Sequence, residues 1–325
     1  MIKKYTLGSC LDLFYLDIES RCSGSTLINY KTRLKYFLDF LRRKEGVADP
    51  AEFLLSDLTV DMLRLYAVSL RQKKKFDGSI NRPAQDGNIS ATTVRDYCSD
   101  LAAFLSWCYR NDYMAKDITK NWKIISREKK EVLPLYQSEV DRIDACLKTK
   151  SETSYRNLAI VHLMLDAGLR SGEVVRLKLH DVNFDKNYIE IVGSKGNRSR
   201  YVKMSYRLKN YMFRYYTIYR MASSSTSSSF FLVIGGVEGL NPNAIKQLFS
   251  RLKTRVDIPR LKPHLLRHTF ASAFVCQGGN LEHLRLLLGH SNLSISENYI
   301  HIAAKWRSLA DDIYKLDETF MSWYK

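Results

Sequence analysis

The chain has 325 residues, 45% of them hydrophobic, which is longer than a usual single domain and predicts two. No apolar run approaches the roughly 18 residues a helix needs to cross a bilayer, which excludes a helical membrane span. Lys and Arg outnumber Asp and Glu by 23 to 16 up to position 130 and by 28 to 18 beyond it, so the net charge of +17 is no mere basic tail. It points to a polyanionic partner, nucleic acid first and an anionic membrane surface second; the bland alternative is a soluble protein that happens to be basic.

In chain order, "MIKKYTLGSCLDLFYLDI" has the lysines and apolar stretch of a signal peptide until Asp12 and Asp17 interrupt it, and the expected location is cytoplasmic. Residues 11–125 read as mostly helical. In "TLINYKTRLKYFLDFLRR", Leu27, Tyr30, Leu34, Phe37, Leu38 and Leu41 recur at steps of three and four, with Ser25 or Thr26 as cap. Ser56 or Thr59 opens the next helix, and "SATTVRDYCSDLAAFLSWCYRND" buries Val94, Tyr97, Leu101, Phe104, Leu105 and Cys108. The stretch between them, "RQKKKFDGSINRPAQDGN", reads as a loop whose Lys73, Lys74 and Lys75 are either a solvated patch or a phosphate contact.

Residues 123–134 are dense in charge and read as the linker between domains 1–122 and 135–325. Helices resume at "SEVDRIDACL" and "SYRNLAIVHLMLDAG", which Gly168 stops. "NYIEIVGSKGNRSRYVKM" predicts a β-hairpin with Lys195 near its tip. "ASSSTSSS" (222–229) predicts a flexible surface loop, and helices return from Pro242. Six scattered cysteines without a C-x-x-C pair predict reduced, small buried residues rather than disulfides or a zinc site.

The chemistry concentrates late. In "PHLLRHTFAS", Pro263 suits a first helical turn, and His264, Arg267, His268 and Ala271 then share a face. Five of the seven histidines lie between 264 and 301. H-x-x-x-H invites a zinc reading, but Leu265 stands where the glutamate of H-E-x-x-H belongs, and an arginine between ligands repels a metal. Cations gathered without carboxylates suit an anion carried by the substrate.

"AGLRSGEVVRL" (Arg170, Glu173), "GSKGNRSRYV" (Lys195), "HLLRH" (His264, Arg267), "LLGHSNLS" (His290) and "ENYIHI" (Tyr299), in this order, resemble the tyrosine recombinase or phage integrase family. "TLINYKTRLKYFLDFL" and "SATTVRDYCSDLAAFLSWC" are similar to that family's helical core-binding domain. The resemblance implies a mainly α fold with a small antiparallel sheet, in which a SAM-like core-binding domain and a mixed α/β catalytic domain form a C-shaped clamp on DNA. Departures are peripheral: Ser194 precedes the lysine where glycine is common, and Lys203 stands where a proline often follows the hairpin.

The residues support that chemistry independently. A phenol with a solution pKa near 10 is a poor nucleophile unless its surroundings assist it. Arg170 and Arg267 offer paired charge-assisted hydrogen bonds to the non-bridging oxygens of a phosphodiester, where transition-state charge grows. Lys195 is a candidate proton donor to the leaving 5′-oxygen, though Arg198 or Arg200 offers another register. His264 and His290 complete the cradle, His264 as a shuttle for the Tyr299 proton, and Glu173 holds Arg170. Fixed cations make a metal or other cofactor unnecessary. Ser294 and Glu297 form a capping box opening a short helix with Tyr299, whereas Tyr314 and Tyr324 are decoys.

In the tail, Trp306, Leu309, Ile313, Leu316, Phe320 and Trp323 form an apolar seam at helical spacing. It packs either on its own domain or on a neighbouring protomer; the resemblance favours a homo-tetramer on two paired sites through this C-terminal helix. The expected activity is site-specific recombination through a 3′-phosphotyrosine, without metal or ATP, for integration, transposition or dimer resolution. A type IB topoisomerase and a non-catalytic DNA-binding relative are the alternatives.

Overall fold

The computed structural model describes residues 5–44, 46–77, 83–126, 132–193, 199–223, 225–290, 292–309 and 312–324. The chain divides into two compact units, Met1–Lys130 and Glu131–Lys325, each with its own apolar core.

The first unit holds helices α1 (Leu7–Arg21), α2 (Gly24–Lys44), α3 (Val60–Arg71) and α4 (Ala91–Arg110). Side-chain oxygens satisfy orphan amides where three of them begin: Thr6 accepts from Ser9, Thr59 from Met62 and Ser90 from Thr93. Helix α2 opens earlier than Ser25 or Thr26, because the Ser23 carbonyl already accepts the Thr26 amide at 2.9 Å. The leader-like start is α1, whose Leu7, Cys10, Leu11, Phe14 and Ile18 are buried. Phe14 meets Phe104 edge-on at 5.3 Å, and Phe37 meets Tyr66 at 5.1 Å, so the periodic stripes converge in one core.

The lysine-rich loop is partly a ladder. β1 (Lys74–Lys75) pairs antiparallel with β2 (Gln85–Asn88), where Gly87 has positive φ. Lys73 is tied down by the Asp77 carbonyl at 2.6 Å and the Tyr36 ring at 4.0 Å, while Lys74 and Lys75 are exposed.

The second unit begins with α5 (Gln137–Leu147), α6 (Glu152–Leu165) and α7 (Ser171–Arg176). An antiparallel sheet follows in the order β3 (Val182–Asn183), β4 (Tyr188–Ile191), β5 (Arg200–Lys203), with Ile189 opposite Val202 and Ile191 opposite Arg200. Then come α8 (Tyr206–Arg214), prolonged by a π-helical turn Tyr215–Arg220, and α9 (Pro242–Arg255). The end is α10 (Pro263–Cys276), α11 (Leu281–Leu288), α12 (Leu293–Leu309) and α13 (Glu318–Ser322). Helix α6 is buried nearly all round and packs against α8 and α10, which makes it the spine of the unit.

Three expectations change here for local reasons. The described part of the serine run, residues 222–223 and 225–229, is anchored at several points: buried Arg220 donates to the Ser229 carbonyl at 3.1 Å, the Ser223 hydroxyl at 3.0 Å and the Ser227 carbonyl. Helix α12 begins at Leu293, ahead of Ser294, and runs 17 residues, so a capping box at Ser294 and Glu297 does not open it and it is not short. The tail is not one helix: residues 312–317 are not helical, and Asp317 caps a new helix by accepting the Phe320 amide at 3.0 Å.

That tail packs at home. Tyr314, Leu316, Phe320 and Met321 are buried in the unit's own core, as is Trp306, while Trp323 is exposed. Ile313 bridges to Tyr136, the Gln137 amide donates to the Asp312 carbonyl at 3.0 Å, and the Ser138 amide to the Asp312 carboxylate at 3.1 Å. Among the described residues no helix is long and apolar enough to cross a membrane. All six cysteines are free, with Cys10, Cys98 and Cys108 buried.

Candidate active site

The turn after α6 sets the first arginine. Gly168 has φ +67, and a Cβ there would lie 2.6 Å from the Phe270 ring and 2.9 Å from Leu288, so both conformation and space demand glycine. Arg170 follows as the N-cap of α7. Its amide donates to Glu173 Oε2 at 2.8 Å and its Nη1 to Oε1 at 3.1 Å, while Nη2 reaches the Gly289 carbonyl at 3.4 Å. The expected pairing of Glu173 with Arg170 is therefore present.

Sequence reasoning gave no second role to Arg200. From β5 it grips the same carboxylate bidentately, at 3.0 and 2.9 Å, and its Nε donates to the Leu287 carbonyl at 2.6 Å. Burial pushes Glu173 upward, but the Arg200 hydrogen bonds and charge outweigh it and hold the carboxyl below its ordinary range. One carboxylate thus fixes two arginines and joins α7 to the sheet.

Arg267, on α10, is 5% exposed and pairs with no carboxylate among the described residues. Its Nη1 donates to the Gly168 carbonyl at 2.5 Å and its Nη2 to the Leu288 carbonyl at 2.6 Å. Nη2 also lies 3.2 Å from Nε2 of His290. Burial first, then the Arg170 charge, lowers its pKa to about 9. This is a cation held where cations are disfavoured.

His290 follows Gly289, which ends α11 in the left-handed conformation. Because Arg267 can only donate, Nε2 of His290 is an acceptor and its proton sits on Nδ1, facing the Ser296 hydroxyl at 3.0 Å. Burial and the charges of Arg267, Arg170 and Arg200 push its pKa down to about 4. Ser296, fully buried on α12, is another residue the sequence reading missed; only its place one turn before Tyr299 could have flagged it.

His264 is exposed at the start of α10, its pKa lowered by partial desolvation and by the charges of Arg267, Lys262 and Arg170. His268 turns elsewhere: its Nε2 lies 2.7 Å from the Val132 carbonyl, and its ring centroid is 5.4 Å from that of Tyr299. Tyr299 is partly buried; burial raises its pKa, while Arg267 and Arg170 pull it down without prevailing. Arg170, Glu173, His264, Arg267, His290 and Tyr299 are thus brought to one place. Lys195 and Arg198 lie outside the described residues. Tyr314 and Tyr324 are held elsewhere, Tyr314 on Asp166 and Tyr324 at the Lys203 amide.

Such a site can bind a phosphodiester between Arg170 and Arg267 and hold a phenol beside it. A helical unit followed by a helical unit with a small antiparallel sheet, gathering these groups, is the build of a tyrosine recombinase, a class of enzyme that transfers DNA strands. The sequence profile described as "Phage integrase family" matches residues 134–305, and "Phage integrase SAM-like domain" matches residues 9–124. The chain belongs to the phage integrase family.

The chain is 26% identical over 276 residues to tyrosine recombinase XerD of Ralstonia nicotianae, covering 83% of this chain and 89% of that one. With XerC of Anoxybacillus flavithermus the identity is 27% over 300 residues, covering 90% and 92%. Among solved structures, the lambda integrase (75-356) dimer bound to a COC′ core site superposes with a TM-score of 0.69 at 17% identity, covering 96% of this chain and all of that one. The post-cleavage complex of XerH with a palindromic difH substrate gives 0.66 at 19% identity, covering 91% and 85%.

Proposed function

We propose that this protein is a site-specific DNA recombinase whose Tyr299 attacks a backbone phosphorus. The phenolic oxygen forms a 3′-phosphotyrosine bond, the bond to the 5′-oxygen breaks, and that oxygen leaves as a hydroxyl after receiving a proton. The 5′-hydroxyl of a partner duplex then attacks the phosphotyrosine, returning the phenol and sealing the new strand. One phosphoester replaces another at each step, so no external energy source enters.

The observation that carries this reading is Arg267: a buried guanidinium satisfied by two carbonyls and a neutral imidazole, with the Tyr299 phenol within reach of its charge. A cation so placed gains most when a phosphate arrives, and gains further as oxyanion charge builds. Arg170 supplies the second clamp, with Glu173 and Arg200 keeping it aligned. His290 donates a hydrogen bond from Nδ1 to the Ser296 hydroxyl and supports Arg267 by accepting through Nε2; His264 accepts the phenolic proton. Lys195 on the hairpin is the proposed acid for the leaving oxygen.

The unit containing α1–α4 is proposed as the core-binding domain, the second as the catalytic domain, with 123–134 as linker. Assembly on DNA as a homo-tetramer over two paired sites belongs to the same proposal. A contact through the buried residues of the tail, such as Tyr314 and Phe320, would require residues 312–324 to leave their seats at Tyr136, Asp166 and Lys203.

A nicked substrate that loses its 5′-hydroxyl fragment tests the chemistry. Wild type forms a denaturant-resistant protein–DNA adduct, and Tyr299→Phe forms none; an adduct with the Phe variant would remove Tyr299 as nucleophile. Supercoil relaxation without paired sites separates a topoisomerase from a recombinase.

A further inference from the structure

Behind the turn that carries Arg170 lies a buried charge network that the proposed chemistry leaves unused. His162, fully buried on α6, sits between two carboxylates: Nε2 is 2.8 Å from Asp144 and Nδ1 3.0 Å from Asp166. Asp166 also accepts from the Ser205 hydroxyl at 3.0 Å and from Arg207, at 3.3 Å through Nε and 3.0 Å through Nη2. The last donor comes from the tail. The Tyr314 hydroxyl donates to Asp166 Oδ1 and accepts from Arg207 Nη2.

Asp166 is the C-cap of α6, and only Ala167, Gly168 and Leu169 separate it from Arg170. Ala167 and Leu169 are fully buried, and the Leu169 amide is tied to the Leu163 carbonyl at 3.0 Å. The Gly168 carbonyl in this turn is the one that accepts Arg267 Nη1. A shift of Asp166 therefore has no slack to dissipate in, and it reaches both arginines through one short, close-packed turn.

We propose that Tyr314 is a positioning residue for the arginine pair: its hydroxyl, brought by the tail, completes the set of donors on Asp166 that sets where Gly168 and Arg170 stand. The tail thereby contributes one oxygen atom to the alignment of a site it does not touch. This rests on the proposed phosphoryl-transfer reading of the same site.

Tyr314→Phe in the full chain tests it, because the substitution keeps the ring and deletes only the oxygen. Adduct formation on the nicked substrate is measured under single-turnover conditions, on a normal phosphate and on a methylphosphonate at the scissile position, whose missing charge lessens the need for arginine. The variant forms adduct about tenfold more slowly on phosphate with unchanged duplex affinity, and its deficit shrinks on the methylphosphonate. Leu316→Ala, which loosens buried tail packing and leaves the Tyr314 hydroxyl in place, serves as comparator and shows any deficit equally on both substrates. A wild-type rate for Tyr314→Phe on phosphate, or an equal deficit on the two substrates, overturns the proposal. Failure of the wild-type protein to form an adduct through Tyr299 would instead overturn the reading on which it rests.

Discussion

Burial and three guanidiniums hold the His290 ring neutral down to about pH 4 in the free protein, well below the ordinary value near 6.5. Between those two values the unfolded chain binds the proton that the folded chain refuses, so stability is fully present above 6.5 and is lost as pH falls toward 4. Denaturant titrations across this window should show His290 contributing about 3 kcal/mol of the loss. His290→Gln should flatten that part of the profile, and an unchanged slope would mean the ring is not held neutral. The sequence displayed His290 as a motif residue but not its tautomer, since that depends on Arg267 and Ser296 arriving from two other helices. Arg200 escaped for a related reason. In "GNRSRYVK" it is one basic residue among several, and only the register opposite Ile191, with Leu287 and Glu173 nearby, singles it out.

At the level of elements, the periodic apolar positions were the legible part. The stripes of α2 and α4 are buried largely as their spacing implied, and Gly168 stops the chain after α6 as a left-handed glycine does. What misled were patterns with two physical solutions. The tail's three-and-four spacing fits one helix equally well as two helices with non-helical residues 312–317 before the second, and Asp317, an N-cap inside the pattern, was the signal for the second. A serine-rich run looks unstructured because it brings no apolar anchor of its own; the anchor is Arg220, at the end of the π-helical turn. Arg220→Met should therefore free residues 222–229, seen as at least roughly tenfold faster amide exchange there with the α6 amides still protected. Unchanged exchange in the run would show that Arg220 does not hold it.

For the molecule as a whole, the net charge of +17 is spread over both units, and because it is the excess of 51 Lys and Arg over 34 Asp and Glu it has no counter-charge within the chain. Phosphate contacts release counterions, so duplex affinity should fall about a thousandfold between 50 and 200 mM salt. A shallow dependence, near tenfold, would mean that most of this charge never meets a backbone phosphate. Bulk composition made such a partner legible from the start, and the motif order made the family legible.

The clasp between Tyr136 to Ser138 and Asp312 to Ile313 joins the first helix of the second unit to a segment some 170 positions later. During synthesis, α5 must therefore wait for its partner until almost everything in between has emerged, a closure of very long sequence separation that belongs late in folding. A ribosome-bound chain can already display the basic cluster while Tyr136 still lacks its bridge. Competence to cut should appear only upon completion of residues 312–324, so a half-made polypeptide could hold DNA without being able to break it.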